Sequence, residues 1–420
     1  MNKISILSLS VIGVLLIGCR SSSDQSKDST VEETSVVLQA EDFNGSSVAG
    51  LQKKGETAEI GADQWLSYDL TVLTLGRYKV EVMGVGSDSA TLWIEDYYDN
   101  KDERTYDITG KMMFEAGDGA AMQTISKDGS PLNVGVHKVK IHASKAPVKV
   151  DWVKFTLMKE PTATPVKFEQ KMDGKEWSLV WSDEFEGTGL PDTTKWAYNI
   201  GNWGWGNNEP QYYTELRTEN ARQENGTLII EALKNDMGQP WTSARLTTQG
   251  KESFLYGKIE YRAKVPVGRG TWSAGWMLGD EYKDEISWPY CGEIDVLECV
   301  GYEINDTTGT GLNHATCHTR AYYFKQNNQI GSEIKVDNMN SEFHTYAIEW
   351  YPDRIEGYLD GKKYYTYDKN KNEREWPFFK PQNIIVNLAV GGGWGGAKGI
   401  DPSWTSHQYI LDYVRVYELK

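Results

Sequence analysis

The stretch IEGYLDGKKYYTY, residues 355–367, contains two strand-forming runs on either side of Asp360-Gly361. An Asp-Gly pair between two such runs is a strong short-range signal for a tight β-hairpin. Outward from this hairpin, from about Phe168 to Lys420, similar runs are separated by turn residues and show no helical periodicity. A region of about 250 residues with this pattern predicts a large antiparallel β-sandwich.

A second region with period-two alternation lies earlier in the chain, at residues 36–158. There Leu66, Tyr68, Leu70 and Val72 alternate with polar neighbours, which is typical of half-buried antiparallel strands and predicts a smaller β-sandwich. The stretch EPTATP at residues 160–165 then interrupts the pattern. Its two prolines favour an extended linker, which we place at residues 159–170. The larger sandwich then occupies residues 171–420.

The amino terminus has the features of an export signal. Residues 1–19 combine a basic start with an apolar stretch that is too short to span a bilayer stably, and they end in Leu16-Ile17-Gly18-Cys19. This ending resembles the bacterial lipobox, in which the cysteine becomes the lipidated first residue of the mature protein. Residues 20–35 are mainly polar and predict a disordered tether. We expect export and lipid anchoring at Cys19 on the bacterial cell envelope, at the outer membrane or cell surface.

Composition excludes some classes of partner. The 420 residues have a net charge of -16, which argues against electrostatic binding of nucleic acid. The chain contains 16 Trp and 24 Tyr, and flat aromatic rings suit the C–H faces of sugars. With Cys19 lipidated, Cys291, Cys299 and Cys317 remain and permit at most one disulfide. No HExxH run or G-x-S-x-G elbow is present, so a zinc hydrolase or serine hydrolase has no support.

The segment GEIDVLE, residues 292–298, is the strongest candidate for catalysis. On a regular strand Glu293 and Asp295 share a face while Glu298 points to the other, but one β-bulge near Val296-Leu297 would bring all three to one face. Three neighbouring carboxylates repel, so at least one proton should be held with a raised pKa. Splitting acid from base in this way is what glycoside hydrolysis requires. A solvated acidic strand or a metal site is the alternative.

The carboxyl-terminal region, from Ser178 to Tyr417, resembles the laminarinase-type members of glycoside hydrolase family 16, which are endo-β-1,3-glucanases. The resemblance is carried by WSDEF at 181–185, GWGNNEPQYYT at 204–214, SARLTT at 243–248, YGKIEYRAKVPVGRGTWSAGWMLG at 256–279, WPYCGEIDVLE at 288–298, FHTYAIEW at 343–350, NLAVGGGWGG at 387–396 and DYVRVY at 412–417. It implies a concanavalin-like β-jelly roll of two stacked sheets with an open substrate cleft on the concave face.

The resemblance also implies the role of each acid. Glu293 would be the nucleophile, Glu298 the general acid and base, and Asp295 the residue between them that assists the nucleophile, in a retaining double displacement. Side chains implied to contact the sugar are Asn207, Trp272, Trp276, Trp288 and His318. For each of these five, core packing or a loop hydrogen bond is the alternative.

Many members of this family bind a structural calcium ion, so the resemblance implies one here. Its ligands here would be the Asp412 side chain and backbone oxygens of Glu184 and Gly226. A buried salt bridge at Asp412 or an exposed edge strand is the alternative. No cofactor is expected for catalysis.

Residues 37–157 resemble carbohydrate-binding modules of family 6, through QAEDF at 39–43, WLSYD at 65–69, GRY at 76–78 and VDWVKF at 150–155. This resemblance implies a second calcium ion near Glu41 and Asp151. Lys149 stands where many members of that family have a sugar-contacting Asn, so glycan binding and simple spacing of the enzyme both stay open.

The sequence thus predicts a monomeric β-1,3-glucan hydrolase. An agarase or carrageenase of the same fold is one alternative, and a glucan-binding protein without catalysis is another, although retention of all three acids argues against the latter.

Overall fold

The structure, a computed structural model, describes residues 34–420 except 52, 54, 88, 98–104, 116–120, 161–163, 165–166 and 370–371. Its regular elements are β-strands and three short 3-10 helices at Ala40–Asp42, Gly301–Glu303 and Phe324–Gln326. The all-β prediction is therefore confirmed. The predicted signal segment, Cys19 and nearly all of the predicted tether lie outside the described residues. Among the helices that the structure describes, none is long and apolar enough to cross a bilayer.

The smaller sandwich consists of two sheets. Its strands are β1 (Ser35–Gln39), β2 (Gly45–Ser46), β3 (Ala58–Ile60), β4 (Gln64–Val72), β5 (Gly76–Gly86), β6 (Thr91–Asp96), β7 (Tyr106–Asp107), β8 (Met112–Met113), β9 (Gln123–Leu132), β10 (Gly135–Ser144) and β11 (Val148–Lys159). One sheet has the order β1-β11-β5-β9, with β3 also on β11, and the other has the order β2-β4-β10-β6-β7, with β8 on β6.

The larger sandwich also has two sheets. Its strands are β12 (Lys167–Glu169), β13 (Trp177–Asp183), β14 (Ala197–Tyr198), β15 (Gln211–Tyr213), β16 (Ala221–Glu224), β17 (Thr227–Asp236), β18 (Gln239–Ser243), β19 (Arg245–Thr247), β20 (Ser253–Leu255), β21 (Gly257–Lys264), β22 (Thr271–Gly279), β23 (Glu293–Val300), β24 (Gly311–His318), β25 (Ile330–Val336), β26 (His344–Trp350), β27 (Arg354–Leu359), β28 (Lys362–Asp368), β29 (Gln382–Val390) and β30 (Ser406–Leu419). The sheet that carries the candidate acids has the order β12-β20-β29-β22-β23-β24-β25. The opposite sheet has the order β15-β18-β17-β30-β21-β26-β27-β28.

The predicted hairpin joins β27 to β28. Asp360 and Gly361 form its turn with φ values of 47° and 76°. A two-residue turn with positive φ at both positions matches the right-handed twist of the flanking strands. The hairpin prediction is confirmed.

Each sandwich has its own core of buried apolar side chains. The segment predicted as a linker contains β12, which pairs in parallel with β20, so this part of it is an edge strand of the larger sandwich. Cys291, Cys299 and Cys317 are buried and free. Burial raises the pKa of all three thiols.

Candidate active site

A β-bulge in β23 sets the direction of the three candidate acids. Asp295 pairs with Trp276 of β22 and Leu297 pairs with Gly275, so Val296 is an extra residue without a partner on that side. Because of this residue, the side chains of Glu293, Asp295 and Glu298 all line one cleft. The bulge expected from the sequence is present at its expected place.

Asn313 of β24 holds the bulge from the other side. The β23–β24 ladder stops at the pair Asp295–Thr316. Beyond that point the fully buried Asn313 replaces the missing backbone partners. Its Nδ2 donates to the Val296 carbonyl over 3.1 Å, and its Oδ1 accepts from the Glu298 backbone N–H over 3.1 Å. One side chain thus fixes the backbone immediately before and at Glu298.

Two tryptophans donate hydrogen bonds to the outer acids. Trp288 Nε1 lies 2.7 Å from Glu293 Oε2, and Trp272 Nε1 lies 2.9 Å from Glu298 Oε1. Trp276 donates instead to Asn387 Oδ1 over 2.8 Å. All three rings line the cleft, and their contact with sugar stays a prediction. Their N–H groups also orient the carboxylates of Glu293 and Glu298 and the side-chain amide of Asn387.

His318 of β24 is paired with Glu293 across the β23–β24 ladder and, unlike the three tryptophans, is not among the described residues that line the cleft. Its Nε2 is 3.3 Å from Asp295 Oδ2 and 3.9 Å from Glu293 Oε1. Ligand atoms of these three side chains lie within 4.8 Å of one another, so the set could also hold a metal ion. A metal site is also one of the alternatives that the sequence leaves open for residues 292–298.

Burial perturbs all three acids in the same direction. It raises the pKa of Glu293 to about 8, with a further upward contribution from the charge of Asp295. It raises the pKa of Asp295 to about 8 and that of Glu298 well above its ordinary value. Charged carboxylates are poorly solvated in such a site and repel one another. The cluster therefore retains protons at neutral pH, which provides a proton donor beside a potential nucleophile.

The remaining cleft wall includes residues that sequence reasoning did not single out. Arg245 lies 4.9 Å from the ring centre of Trp205 and 4.7 Å from that of Trp276. Glu209 is buried, and burial raises its pKa to about 7. The predicted Asn207 lines the cleft and donates to Glu209 Oε1 over 3.1 Å. Glu209 stands in the GWGNNEPQYYT stretch and Arg245 in SARLTT, so the quoted motifs contained both.

The residues predicted to bind calcium on the larger sandwich do not line this cleft. The Asp412 carboxylate accepts a hydrogen bond from Arg262. The Glu184 carboxylate is paired with Arg415 at 2.9 and 2.8 Å, and Gly226 lies in the turn between β16 and β17 with φ of 73°. The Arg262–Asp412 pair is a salt bridge between two partly exposed side chains, and calcium at this place stays a prediction.

Comparison with known proteins places the larger sandwich in a family. The sequence profile described as Glycosyl hydrolases family 16 matches residues 208–414. The chain is 47% identical to the beta-glucanase of Rhodothermus marinus over 57% of this chain and 85% of that protein. It is 37% identical to the glucan endo-1,3-beta-glucosidase of Cryptopygus antarcticus over 57% of this chain and 91% of that protein.

Solved structures show the same relationship. The laminarinase from Rhodothermus marinus superposes with a TM-score of 0.54 at 47% identity, covering 58% of this chain and 98% of that one. The laminarinase from Flavobacterium sp. UMI-01 superposes with a TM-score of 0.51 at 40% identity, covering 57% and 100%.

A two-sheet sandwich with a bulged, acid-bearing strand in its cleft defines a glycoside hydrolase of the jelly-roll class. The chain belongs to glycoside hydrolase family 16. Family membership also supports the expectation that catalysis needs no cofactor.

Proposed function

We propose that this enzyme hydrolyses β-1,3-glucan chains internally with retention of anomeric configuration. The observation that carries the proposal is the bulge, because it turns the buried Asp295 and the half-buried Glu293 and Glu298 toward one cleft and leaves each outer acid with a tryptophan N–H donor. Support for the substrate comes from the relatives, which include laminarinases and a glucan endo-1,3-beta-glucosidase.

In the proposed mechanism Glu293 attacks the anomeric carbon as a carboxylate, and the bond from that carbon to the glycosidic oxygen breaks. Glu298 gives its proton to the departing oxygen. The Trp288 N–H stabilises the charge of Glu293 before attack. Asp295 shares the local proton with Glu293, since the two are adjacent on one face. Water deprotonated by Glu298 then attacks the same carbon and releases Glu293.

The first test is digestion of laminarin by the full chain, with reducing ends counted and the first anomer identified by proton NMR. We expect β product first and turnover that resists EDTA. Glu293→Gln should abolish turnover while binding of laminarin in affinity electrophoresis persists. Near-normal activity of this variant would remove the nucleophile assignment, and loss of wild-type activity in EDTA would favour the metal interpretation of Glu293, Asp295 and His318.

Relatives whose names give other substrates indicate which further polysaccharides should be assayed. They include a keratan-sulfate endo-1,4-beta-galactosidase of Sphingobacterium multivorum, 33% identical over 58% of this chain and 56% of that protein. A beta-1,3-glucan-binding protein of Penaeus monodon is 30% identical over 36% of this chain and 47% of that protein. Agarose, carrageenan, keratan sulfate and mixed-linkage glucan should therefore be assayed beside laminarin. Binding of laminarin without release of reducing ends would assign the chain to the binding class.

For the smaller sandwich we propose the family 6 type of carbohydrate-binding module with a structural calcium ion. Glu41 supports the metal because its Oε2 is buried and has no hydrogen-bond partner among the described residues. Its 3-10 helix packs on β11, where pairing shifts at Asp151 between Val150 and Trp152. Carboxylate oxygens of this kind are what calcium prefers.

Calorimetry tests the calcium proposals separately. Calcium should raise the wild-type melting temperature relative to EDTA, and Glu41→Gln should lose that increase. Asp412→Asn provides the corresponding test for the larger sandwich, where calcium also stays a prediction. A wild-type melting temperature that is the same in calcium and EDTA would contradict both sites. Glycan binding by the module is tested with Glu293→Gln protein on a glycan array.

For location we propose a monomer anchored to the bacterial envelope by lipidated Cys19, on the strength of its lipobox-like context. Labelling cells with a fatty acid analogue should mark the wild type and spare Cys19→Ala. Equal labelling of the two would refute the anchor, and a sedimentation mass of twice the chain would refute the monomer.

A further inference from the structure

The smaller sandwich contacts the back of the cleft wall. Residues 34–420 form one compact unit, whereas the family profile begins only at residue 208 and leaves the smaller sandwich unassigned. The contact, which we call the seam, joins Arg77, Tyr106–Gly110 and Asp128–Gly129 to residues 200–205 and 282–288 and to Lys325. Trp203, Trp205, Tyr282, Trp288 and Lys325 also line the cleft.

At the seam the backbones of the two sandwiches lie in direct contact. A Cβ built on Gly129 would lie 2.2 Å from the Ile200 carbonyl oxygen, and one on Gly201 would lie 2.1 Å from the Asp128 oxygen. Between them Asn202 N donates to the Asp128 carbonyl over 2.9 Å, and Asp128 N donates to Asn202 Oδ1 over 2.9 Å. Such an interlocking fit requires glycine and fixes one orientation of the two sandwiches.

Arg77 connects the seam to one part of the cleft wall. Its Nη1 donates to the Gly129 carbonyl over 3.1 Å, and its guanidinium lies 5.4 Å from the ring centre of Trp205. It also interacts with Tyr282, whose hydroxyl donates to Glu285 Oε1 over 2.9 Å. A cation over a tryptophan ring restrains that ring. This contact therefore positions cleft residues from the side away from the substrate.

Tyr106 connects the seam to the reacting groups. Its hydroxyl lies 3.4 Å from the Trp288 carbonyl oxygen, and Lys325 Nζ lies 5.0 Å from its ring centre. Trp288 is the residue whose Nε1 contacts Glu293 over 2.7 Å. Trp288 thus links Tyr106 of the smaller sandwich to the proposed nucleophile.

We infer that the smaller sandwich is a positioning element of the active site, in addition to any glycan binding of its own. It fixes Trp205 and Trp288 and so holds the cleft wall and the hydrogen bond to Glu293 in their reactive arrangement. The effect of this role on hydrolysis rests on the proposed function, whereas the restraint of the cleft wall does not.

The test compares two Gly→Ala variants of the full chain. Gly129→Ala puts a methyl group into the seam, whereas Gly55→Ala introduces one at φ of 72° where no described atom lies within 4 Å. Since Gly129 has φ of 89°, both variants carry the same kind of backbone strain. Tyr106→Phe is a milder third variant that removes only the hydroxyl, in case Gly129→Ala does not fold.

We expect hydrogen exchange of residues 200–206 and 282–288 to accelerate in Gly129→Ala and to match wild type in Gly55→Ala. The kcat/KM on laminarin should fall about ten-fold in Gly129→Ala, since small misplacements of a reacting group are costly, and should stay within about two-fold of wild type in the control. The acid limb of the pH profile should move to higher pH in Gly129→Ala and Tyr106→Phe, because the bond from Trp288 that favours ionised Glu293 is loosened.

Equal exchange and equal kinetics in Gly129→Ala and Gly55→Ala, with Tyr106→Phe like wild type, would overturn the inference. A wild-type enzyme without activity on laminarin would instead overturn the proposed function, and the exchange measurement would still decide whether the seam restrains the wall.

Discussion

Removing the amide of Asn313 should separate the role of the bulge from the stability of the sheet. In Asn313→Ala the Val296 carbonyl and the Glu298 N–H each lose the hydrogen bond from this buried side chain. Each unsatisfied buried group costs about 1 to 3 kcal/mol, so the pair costs on the order of 2 to 6 kcal/mol if the backbone stays in place. This is a large part of the stability of a typical domain, about 5 to 15 kcal/mol. We therefore expect the bulge to relax and the Glu298 carboxyl to leave its position.

Two substrates reveal that displacement. Cleavage of laminarin requires a proton on the departing sugar oxygen. In a dinitrophenyl β-glucoside oligosaccharide the departing group is dinitrophenolate, which leaves without being protonated. General acid catalysis contributes about 10² to 10⁴ in rate, so kcat/KM on laminarin should fall about 100-fold. On the activated substrate the same constant, which reports attack by Glu293, should fall less than about ten-fold.

Asn220 provides a matched control. It is as fully buried as Asn313, and its amide also joins separate strands by donating to the Glu231 carbonyl over 3.0 Å and to Thr242 Oγ1 over 3.0 Å. Asn220→Ala should lose comparable stability while its activity on both substrates changes equally. If Asn313→Ala loses activity on the two substrates by the same factor, the bulge does not act through Glu298 and the reasoning is wrong.

Three further predictions concern the cleft. Burial raises the pKa of Asp295 from 3.8 to about 8, so its contribution to stability is complete below pH 3.8 and is lost as pH rises through 8. The free energy of unfolding of Asp295→Asn, measured by denaturant titration, should therefore rise relative to that of wild type by a few kcal/mol between pH 5 and pH 8. A difference between the two proteins that does not change with pH would contradict this. Trp288→Phe removes the N–H that lowers the pKa of Glu293, so the acid limb of kcat/KM should move by up to about one unit to higher pH, and an unmoved limb would refute the role of that bond. Arg245→Leu removes a cation from between two cleft tryptophans, worth about 1 to 2 kcal/mol, and should raise KM for laminarin with less effect on kcat; a fall in kcat alone would place Arg245 in the chemical step.

Local patterns were enough to predict the hairpin and the bulge. Asp360-Gly361 has few alternatives to a tight turn, and the spacing of Glu293, Asp295 and Glu298 cannot reach one face without an extra residue. Both depend on neighbours in the chain, so sequence alone contains the information.

The supports of the site could not be found in this way. Asn313 meets Glu298 from the neighbouring strand, and Tyr106 meets Trp288 across 182 positions. The tryptophans were predicted as sugar platforms from their residue type, but whether an indole N–H points to a carboxylate depends on the packed side-chain conformation. Only the folded sheet fixes these directions.

The three core thiols have a practical consequence. Cys291, Cys299 and Cys317 are buried with pKa values above their ordinary range, so in the folded enzyme they are protonated and shielded. Alkylating reagents can modify them only after the large sandwich has opened. The rate of iodoacetamide incorporation at these positions therefore measures how often the larger sandwich opens in solution.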